Sequence, residues 1–375
     1  MVLYLTDDYP YSKVHYELCR HIVQESNISF TLYSVIRSGI NVRDLRSTYD
    51  KVNFDTIFYE LKGSELRYKI DFFYKIHLKY RWLLEHVDIS QVKITHAATL
   101  FSEGAVALKL FKEKGIPYVV AVRGTDIELY FKYMFHLWHI GIEILLNASQ
   151  IICVTQNIYE HLLDKSFLSH IKHVIRKKTI IISNGIDSYW LENQYVKKQV
   201  PSIFHLLYIG VFNKNKNVQR LIKVVLRLKK IYPNLQLTLI GGGGDCHDKI
   251  LEYCRNYPET FTYLGKIYDK DKLCNIIREH DIFTMISHSE TFGLVYIEAL
   301  SQGLPVLYTK GQGIDGVFQE KVGEAVVSTD EHDIYKGLRK IIENYTSYQI
   351  EKLGLHRFSW QNIAKSYIDI YSQII

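Results

Sequence analysis

Two glutamates eight positions apart, Glu290 and Glu298, form the part of the sequence that most specifically suggests a binding site. They flank the run TFGLVYI, in which a helix is predicted to begin near Phe292 and Gly293. The N–H groups at a helix start lack partners within the helix and carry partial positive charge, so they attract phosphate. A carboxylate can also accept two hydrogen bonds from a vicinal diol such as ribose. In the absence of other features, Glu290 would be explained as a charge that stabilises the helix dipole and Glu298 as a solvated helix residue. The Thr-Phe-Gly that follows Glu290 makes this segment more specific.

A basic loop carrying Lys214 and Lys216 follows the predicted strand FHLLYIG. A lysine at the carboxyl edge of a parallel sheet is well placed to neutralise a diphosphate. A short basic motif considered alone is better explained as a solvated loop, so this loop is weak evidence by itself.

A run of four glycines follows another predicted strand, in LTLIGGGGDC. Its bare backbone could contact a nucleotide, but the G-x-G-x-x-G pattern is incomplete, because Gly241 and Gly243 fit and the third position is Cys246. A flexible tight turn explains the run equally well.

His136 and His139, in FHLWH, are better explained as packed residues of an amphipathic helix than as metal ligands, because no third ligand lies near in sequence.

Three further candidates lie where predicted strands of the first half end, in THAATLFSEG and VRGTD. His96, Arg123 and Asp126 could meet in one crevice, because open α/β sheets bind ligands at the carboxyl ends of their strands. Each residue alone is more often a cap or a surface group, and Asp126 could simply cap a helix that starts at Ile127.

The elements that must position these residues alternate between buried strands and amphipathic helices, which indicates βαβ units and parallel sheets. The polar segment from Ser188 to Ser202 interrupts this alternation and is interpreted as a linker. The sequence therefore predicts an α/β protein with an N-terminal domain over 1–190 and a second domain over 203–355. Residues 356–375 are expected to form a helix that packs back on the first domain.

The composition excludes several classes of protein. The chain has 375 residues, a net charge of +6 without a large excess in either half, and five cysteines without a C-x-x-C pair. A nucleic-acid binder, a disulfide framework and a cysteine zinc site are therefore not expected. The sequence contains no apolar run of about 18 residues, so it predicts no membrane-spanning helix. We expect no signal peptide and a cytoplasmic location, at the inner face of the membrane if the protein is peripheral.

The chain resembles the family 4 glycosyltransferases of the GT-B fold, of the bacterial surface-polysaccharide kind. The E-x7-E element from Glu290 to Glu298 carries the resemblance most specifically, and SNGID, YLGKIYD and SWQNIAKSY also fit. The resemblance implies two facing Rossmann-like domains, with the donor bound by the second and the acceptor mostly by the first. The expected donor-binding residues are Gly210, Lys216, Gly241, Gly242, Gly265, Lys266, Ile267, Glu290, Thr291, Phe292, Gly293, Leu294 and Glu298. The acceptor side would contain His96, Arg123 and Asp126, and the candidate catalytic residues are Glu290, His96, Asp126 and Lys216.

The same resemblance implies a retaining, metal-independent transfer from a nucleotide-diphosphate sugar, without a further cofactor. A UDP-sugar is favoured over a GDP-sugar, and the acceptor would be a saccharide or a lipid-linked saccharide in capsule, O-antigen or exopolysaccharide synthesis. Two positions depart from the family. Val211 stands where an arginine usually follows the strand glycine, and DDYPYSKVH replaces the usual glycine-rich first turn.

Three alternatives remain open from the sequence. A nucleotide-sugar epimerase of the same fold would need no acceptor, and a non-catalytic GT-B partner subunit would be consistent with Val211. A peripheral contact with an anionic membrane is suggested by SFLSHIKHVIRKK, which mixes apolar and basic residues, although an ordinary helix at a domain edge is slightly favoured.

Overall fold

The computed structural model of the chain describes residues 1–7, 9, 12–36, 54–60, 65–197 and 200–375. These residues divide into two compact units, one formed by Met1–Gly185 with Phe358–Ile375 and the other by Ile186–Arg357. Each unit contains its own parallel sheet, and helices join most of the successive strands that the structure describes, so the predicted α/β class is confirmed. The units divide at Gly185, and the segment expected to be a linker begins with a short helix, Ser188–Glu192, whose Trp190 and Leu191 are buried.

The first unit is built on a seven-stranded parallel sheet. Its strands are β1 (Val2–Leu5), β2 (Phe30–Ile36), β3 (Asp55–Glu60), β4 (Ile94–Ala97), β5 (Tyr118–Val122), β6 (Gln150–Cys153) and β7 (Thr179–Ile181), in the order β3-β2-β1-β4-β5-β6-β7. Strands β1 and β2 are buried along their whole length, as expected for parallel strands covered on both faces.

The second unit is built on a six-stranded parallel sheet. Its strands are β8 (His205–Gly210), β9 (Gln236–Gly241), β10 (Phe261–Gly265), β11 (Ile282–Thr284), β12 (Val306–Thr309) and β13 (Gly323–Val326), in the order β10-β9-β8-β11-β12-β13. Apolar side chains of its central strands, such as Leu207, Leu239 and Phe283, are fully buried.

Side-chain caps and glycines account for many of the helix boundaries. The first-unit helices are Lys13–Glu25, Glu65–Ile70, Phe72–His86, Ser102–Lys114, Trp138–Asn147, Gln156–Leu163, Lys172–Lys178 and Trp360–Ile374. The second-unit helices are Ser188–Glu192, Val218–Leu228, His247–Asn256, Lys270–Glu279, Leu294–Ser301 and Glu331–Glu343. Ser12, Thr155 and Ser359 accept hydrogen bonds from backbone N–H groups at the starts of their helices. As predicted, Gly115 ends its helix in a left-handed conformation, with φ of 69°.

Short turns complete the chain. A π-helical turn at Asp126–Tyr130 continues into Phe131–Tyr133, and 3-10 turns occupy Ile89–Gln91, Phe135–Leu137, Ser166–Ile171, Tyr345–Ser347, Ile350–Lys352 and Leu355–Phe358.

The last helix, Trp360–Ile374, completes the core of the first unit. Its buried side chains, among them Ala364 and Tyr367, belong to the same apolar cluster as Leu18 and Ile22 of helix Lys13–Glu25. The Trp360 ring also lies directly over Gly185, where a Cβ atom would come 2.3 Å from the ring. The end of the chain is therefore an integral layer of the first unit.

The strand orders place a topological switch point in each sheet. In the first sheet, β1 lies between β2 and β4, so successive connections leave β1 in opposite directions; in the second sheet, β8 lies between β9 and β11 in the same way. Loops that follow such strand pairs diverge and leave a crevice, which is where open α/β sheets bind ligands. The functional site is therefore sought at the carboxyl ends of these two pairs.

Candidate functional site

The loops that follow β8 and β11 are held together by hydrogen bonds through Asn215. The Asn215 backbone carbonyl accepts a bond from the His288 N–H at 2.7 Å. Its side-chain oxygen accepts from the Ser289 N–H at 2.9 Å, and its side-chain nitrogen donates to the Ser289 carbonyl at 2.9 Å. These bonds fix the basic loop beside the glutamate segment. The two loops are neighbours because β8 and β11 are adjacent parallel strands.

The charged side chains of these two loops meet directly. Lys216 Nζ lies 2.5 Å from Glu290 Oε2, and the two side chains are only 23% and 15% exposed. Lys214, in contrast, is 87% exposed and contacts Asp245 at 3.9 Å. The structure therefore selects Lys216 rather than Lys214 as the cation of the site and places it next to the first glutamate of the pair.

Asn217 turns the backbone from the basic loop into helix Val218–Leu228. Its φ of 57° is in the left-handed region, which asparagine tolerates better than most residues. The strain is compensated because its side-chain nitrogen donates to the Ser328 carbonyl at 2.7 Å, and Arg220 donates to the same carbonyl at 2.7 Å. The hydrogen bonds to the Ser328 carbonyl therefore fix the backbone next to Lys216.

The start of helix Leu294–Ser301 offers unpaired N–H groups. In the part of the chain that the structure describes, the N–H groups of Thr291, Gly293 and Leu294 donate to no acceptor. Gly293 has a φ of 74°, and a Cβ atom there would come 2.6 Å from the Tyr296 ring. Phe292 is buried, which anchors the loop. Free donors at a helix start can bind an anion, and these follow directly after Glu290, the partner of Lys216.

Glu298 lies inside this helix and is half-buried. Burial, with a smaller contribution from the Asp187 carboxylate, raises its pKa to about 7, although the Lys270 ammonium opposes the shift. Within the described residues, its carboxyl group has no hydrogen-bond partner. Glu298 is therefore a desolvated acceptor available to a ligand, which the solvated-residue alternative does not explain.

The glycine run after β9 packs backbone against backbone. A Cβ atom at Gly241 would come 2.0 Å from the Gly210 carbonyl oxygen, and Gly241 to Gly244 all have positive φ values. The Gly242 N–H donates to the Gly210 carbonyl at 3.3 Å. Glycine at position 241 is thus required by the close approach of the strand ends β8 and β9.

The last expected donor residues follow β10. Gly265 has a φ of 72°, Lys266 is exposed, and Ile267 is half-buried. They lie at the carboxyl edge of the same sheet, but β9 and β8 separate β10 from β11. Val211, directly after Gly210, is 45% exposed, so the position where the family has an arginine is open to solvent.

In the first unit, His96 is a core residue of β4. Its side chain is fully buried, its Nδ1 pairs with the Tyr371 hydroxyl at 2.5 Å, and its ring stacks on Tyr367. Burial, helped by Arg123, lowers its pKa well below the usual range, so the imidazole is neutral. The structure does not bring it to the surface of the sheet edge.

Asp126 and Arg123 stabilise the turns around that edge. Asp126 is buried and accepts hydrogen bonds from the N–H groups of Arg123, Leu100 and Phe101 at 2.8–3.3 Å. Burial raises its pKa to about 6, while those N–H groups oppose the shift. Arg123 donates to the Ala98 carbonyl at 3.2 Å and to the Asn184 side chain at 3.1 Å. Asp126 therefore caps neighbouring turns rather than a helix that begins at Ile127.

Sequence reasoning missed a buried ion cluster in the first unit. Lys79, which is 1% exposed, lies 2.7 Å from Asp7 Oδ1 and 2.9 Å from Glu103 Oε1. Its partners lie 72 and 24 positions away, so no spacing in the sequence could reveal the contact.

Among the described residues, no group of three His, Cys, Asp or Glu side chains is arranged to hold a metal ion. No helix of the described part is both long and apolar enough to cross a membrane.

Comparisons with known proteins address the family and the fold. A model described as Glycosyltransferase Family 4 matches residues 16–189, and a model described as Glycosyl transferases group 1 matches residues 197–353. The structure of a sucrose-phosphate synthase from Thermosynechococcus elongatus superimposes with a TM-score of 0.72 at 17% identity, covering 100% of this chain and 98% of that one. The two models together match most of the chain, and the chain has the GT-B fold.

Two further relatives support the assignment of the GT-B chain. Anabaena HepE, solved in complex with UDP, has a TM-score of 0.71 at 14% identity, over 99% of both chains. A glycogen synthase of Mycobacterium tuberculosis is 25% identical over 200 residues, which are 51% of this chain and 47% of that protein. The match thus spans about half the length of this curated relative. The predicted GT-B fold is confirmed by the solved structures.

Proposed function

We propose that the GT-B chain transfers a sugar from a nucleoside-diphosphate sugar to a hydroxyl group of a saccharide or lipid-linked saccharide. The observation that carries this proposal is the contact between Lys216 and Glu290 at the switch point of the second sheet. The free N–H groups of Thr291, Gly293 and Leu294 follow Glu290 directly in the chain. UDP is the proposed nucleotide, and the UDP bound to the structural relative HepE supports this choice.

The diphosphate is assigned to the positive groups of this site. The Lys216 ammonium and the N–H groups of Thr291, Gly293 and Leu294 would share its negative charge, and the charge that develops on the leaving group would be stabilised by the same groups. Because these groups are already positioned by the Asn215 hydrogen bonds, no reorganisation of the loops is needed for this role. We therefore propose that the transfer requires no metal ion.

The hydroxyl groups of the donor are assigned to the two glutamates. Glu298, which is half-buried and lacks a partner in the described residues, would accept hydrogen bonds from the ribose diol. Glu290, beside Lys216, would accept them from the transferred sugar. The segment from Gly265 to Ile267 is proposed to lie beside the base.

The proposed reaction retains the anomeric configuration, as the sequence resemblance implies. The bond between the anomeric carbon and the diphosphate oxygen breaks, and a bond to the acceptor oxygen forms on the same face of the sugar. The proton of the acceptor hydroxyl passes to the departing diphosphate oxygen, so charge and protons balance. A role in the synthesis of capsule, O-antigen or exopolysaccharide is proposed on the same resemblance.

A thermal-shift titration with UDP, GDP and UDP-glucose tests the proposal, because a ligand that binds only the folded state raises its melting temperature. We expect UDP to raise the melting temperature and Lys216→Ala to weaken UDP binding about ten- to a hundred-fold, as loss of a charge-assisted bond predicts. Lys214→Ala is the matched control, because this lysine is exposed and should leave UDP binding nearly unchanged. Equal effects of the two variants, or no shift with any nucleotide, would contradict the proposal.

Membrane contact is a separate proposal and rests on charge. In the segment over residues 166–178, Leu168, Ile171 and Ile175 are buried in the first unit, whereas Arg176 and Lys177 are exposed. The apolar side is thus occupied by the protein core, and we propose an electrostatic contact with anionic lipid through the basic side. Flotation with phosphatidylserine vesicles at low salt tests this; Arg176→Glu with Lys177→Glu should abolish flotation, and protein that never floats would refute the contact.

A further inference from the structure

The first unit contains a buried charge cluster with no assigned role. Lys79, Asp7, Glu103 and Thr99 form this group, here called the Lys79 cluster. Lys79 Nζ donates to Asp7 at 2.7 Å and to Glu103 at 2.9 Å, and the Thr99 hydroxyl donates to the second oxygen of Glu103. The cluster contains two carboxyl groups and one ammonium group, so it favours neutral or positively charged ligands over anions.

The position of the cluster is that of a ligand site. Asp7 follows β1 and Thr99 follows β4, and these two strands flank the switch point of the first sheet. Glu103 lies in the first turn of the helix that leaves β4, and Lys79 reaches the cluster from helix Phe72–His86. Four separate elements thus place their polar groups where an α/β sheet binds its ligand.

The burial of the cluster is difficult to explain by stability alone. Lys79 and Glu103 are each 1% exposed. Burial raises the pKa of Glu103 to about 7 against the opposing Lys79 ammonium, while Asp7 and Glu103 keep Lys79 charged despite its own burial. Because apolar residues of similar volume often stabilise a protein as well as a buried ion pair does, such a cluster is weak evidence for a purely structural role.

One member of the cluster is open to a ligand. The Asp7 side chain is 30% exposed, and only its Oδ1 atom contacts Lys79. Its Oδ2 atom forms no hydrogen bond within the described ranges of the chain. The cluster therefore holds Asp7 by one oxygen and leaves the other available.

A second polar group of the first unit is also unused. The Tyr68 hydroxyl is buried and has no hydrogen-bond partner among the residues described. Burial, followed by the charge of Asp7, raises its pKa above the usual range. A buried hydroxyl without a partner is costly unless a ligand or water completes it.

We propose that Asp7, held in place by Lys79, accepts hydrogen bonds from the hydroxyl groups of a neutral acceptor sugar. Lys79 and Glu103 are positioning residues that orient Asp7, and Tyr68 offers a second polar contact. This inference rests on the proposed function and extends it by naming the acceptor class: an uncharged glycosyl unit rather than a sugar phosphate.

The test measures acceptor use and donor binding separately. Acceptors are methyl glucoside, methyl galactoside and methyl mannoside and the 6-phosphates of the same sugars, with the donor that the wild-type chain hydrolyses fastest among UDP-glucose, UDP-galactose and GDP-mannose. We expect transfer to the neutral glycosides, and Asp7→Asn to lower kcat/KM for the acceptor about ten- to a hundred-fold. UDP affinity, measured by calorimetry, should stay within about twofold, because Asp7 is assigned to the acceptor and not to the nucleotide.

The control variant is Asp164→Asn, which removes an exposed carboxylate from the same unit and should change neither quantity. Lys79→Met combined with Glu103→Leu replaces the buried charges by apolar groups of similar volume, so the unit is expected to fold. A purely structural cluster would change only the melting temperature, whereas a positioning role raises the acceptor KM.

The outcomes separate the two proposals. Absence of nucleotide binding and of donor hydrolysis would refute the proposed function itself. Normal UDP binding with unchanged acceptor kcat/KM in Asp7→Asn, or transfer to the sugar phosphates alone or to none of the acceptors, would refute the role of the Lys79 cluster and leave the donor site intact.

Discussion

Val211 illustrates how one side chain can set the strength of donor binding. It follows the end of β8, next to the loop that carries Lys216, and nearly half of its side chain is exposed. The family resemblance places an arginine there. Lys214 does not replace that cation, because it extends into solvent beside Asp245.

We expect Val211→Arg to strengthen UDP binding about three- to tenfold, because a second cation would reach the diphosphate through charge-assisted hydrogen bonds. Calorimetry at moderate salt measures the affinity. Val200→Arg is the control, because Val200 is also exposed but lies before β8, away from the switch point. An equal gain in both variants would show that only net charge matters.

Glu298 gives the donor site a predicted dependence on pH. Because its pKa is raised to about 7, the carboxyl group changes from neutral to ionised between about pH 6 and pH 8. The ionised form is the better hydrogen-bond acceptor for ribose. We expect UDP to bind Glu298→Gln about as well as wild type at pH 5.5 and about five- to tenfold more weakly at pH 8. A ratio that does not change with pH would contradict the assignment.

The same group has the opposite effect on stability. Its pKa is higher in the folded chain, about 7, than the ordinary value of 4.5, so the folded state holds the proton more tightly. Stability contributed by this proton is present at low pH and is lost as pH rises towards 7. Glu298→Gln should therefore unfold at a higher temperature than wild type at pH 8 and at a similar temperature near pH 4.

At the scale of elements, the loops after neighbouring parallel strands determine the donor site. Lys216 and Glu290 lie 74 positions apart in sequence, yet they meet because β8 and β11 are adjacent and parallel. The glycine turn after β9 extends the same edge. Its backbone packs directly against that of β8, which leaves no room for a side chain at Gly241.

This contact predicts different outcomes for two neighbouring glycines. Gly241→Ala would place a Cβ atom 2.0 Å from the Gly210 carbonyl, so β8 and β9 would have to separate. Gly243→Ala meets no atom within 4 Å and should cost only about 1–2 kcal/mol for its left-handed backbone. We expect urea denaturation to show a clearly larger loss for Gly241→Ala; equal losses would contradict the close approach.

The sequence predicted the elements better than it predicted the contacts between them. The helix start at Gly293 and the stop at Gly115 follow from local backbone preferences, so both are readable from the sequence. His96 was not placed correctly by strand position alone, because periodicity does not tell which face of a doubly covered sheet a residue meets. Lys79 gave no signal, because a lysine in an amphipathic helix is normally exposed.

At the scale of the whole molecule, the chain returns to its first unit after completing the second. Residues from Phe358 onward belong to the first unit, and helix Trp360–Ile374 covers helix Lys13–Glu25. The apolar stripe of this last helix was visible in the sequence. The helix against which it packs, near the other end of the chain, could not be predicted, because an apolar stripe shows that a face is buried but not which element buries it.

We expect Ala364→Glu to destabilise the first unit strongly, because it buries an unpaired charge in a fully buried position. Lys365→Glu changes the neighbouring exposed residue and should have little effect. UDP affinity measured at low temperature should be unchanged in both, because the proposed donor site lies in the second unit. Loss of UDP binding in Ala364→Glu at a temperature where it remains folded would contradict this division of roles.

The contact between Lys216 and Glu290 also bears on which molecules can occupy the donor site. Because Lys216 and Glu290 pair with each other, an inorganic anion gains little from Lys216: it must separate the pair and leave the carboxylate without its partner. A nucleotide sugar brings a replacement for each side of the pair, negative oxygens for the ammonium and hydroxyl donors for the carboxylate. Under the proposed function, the donor replaces both partners of the ion pair, and free phosphate in the surrounding solution should be a poor competitor.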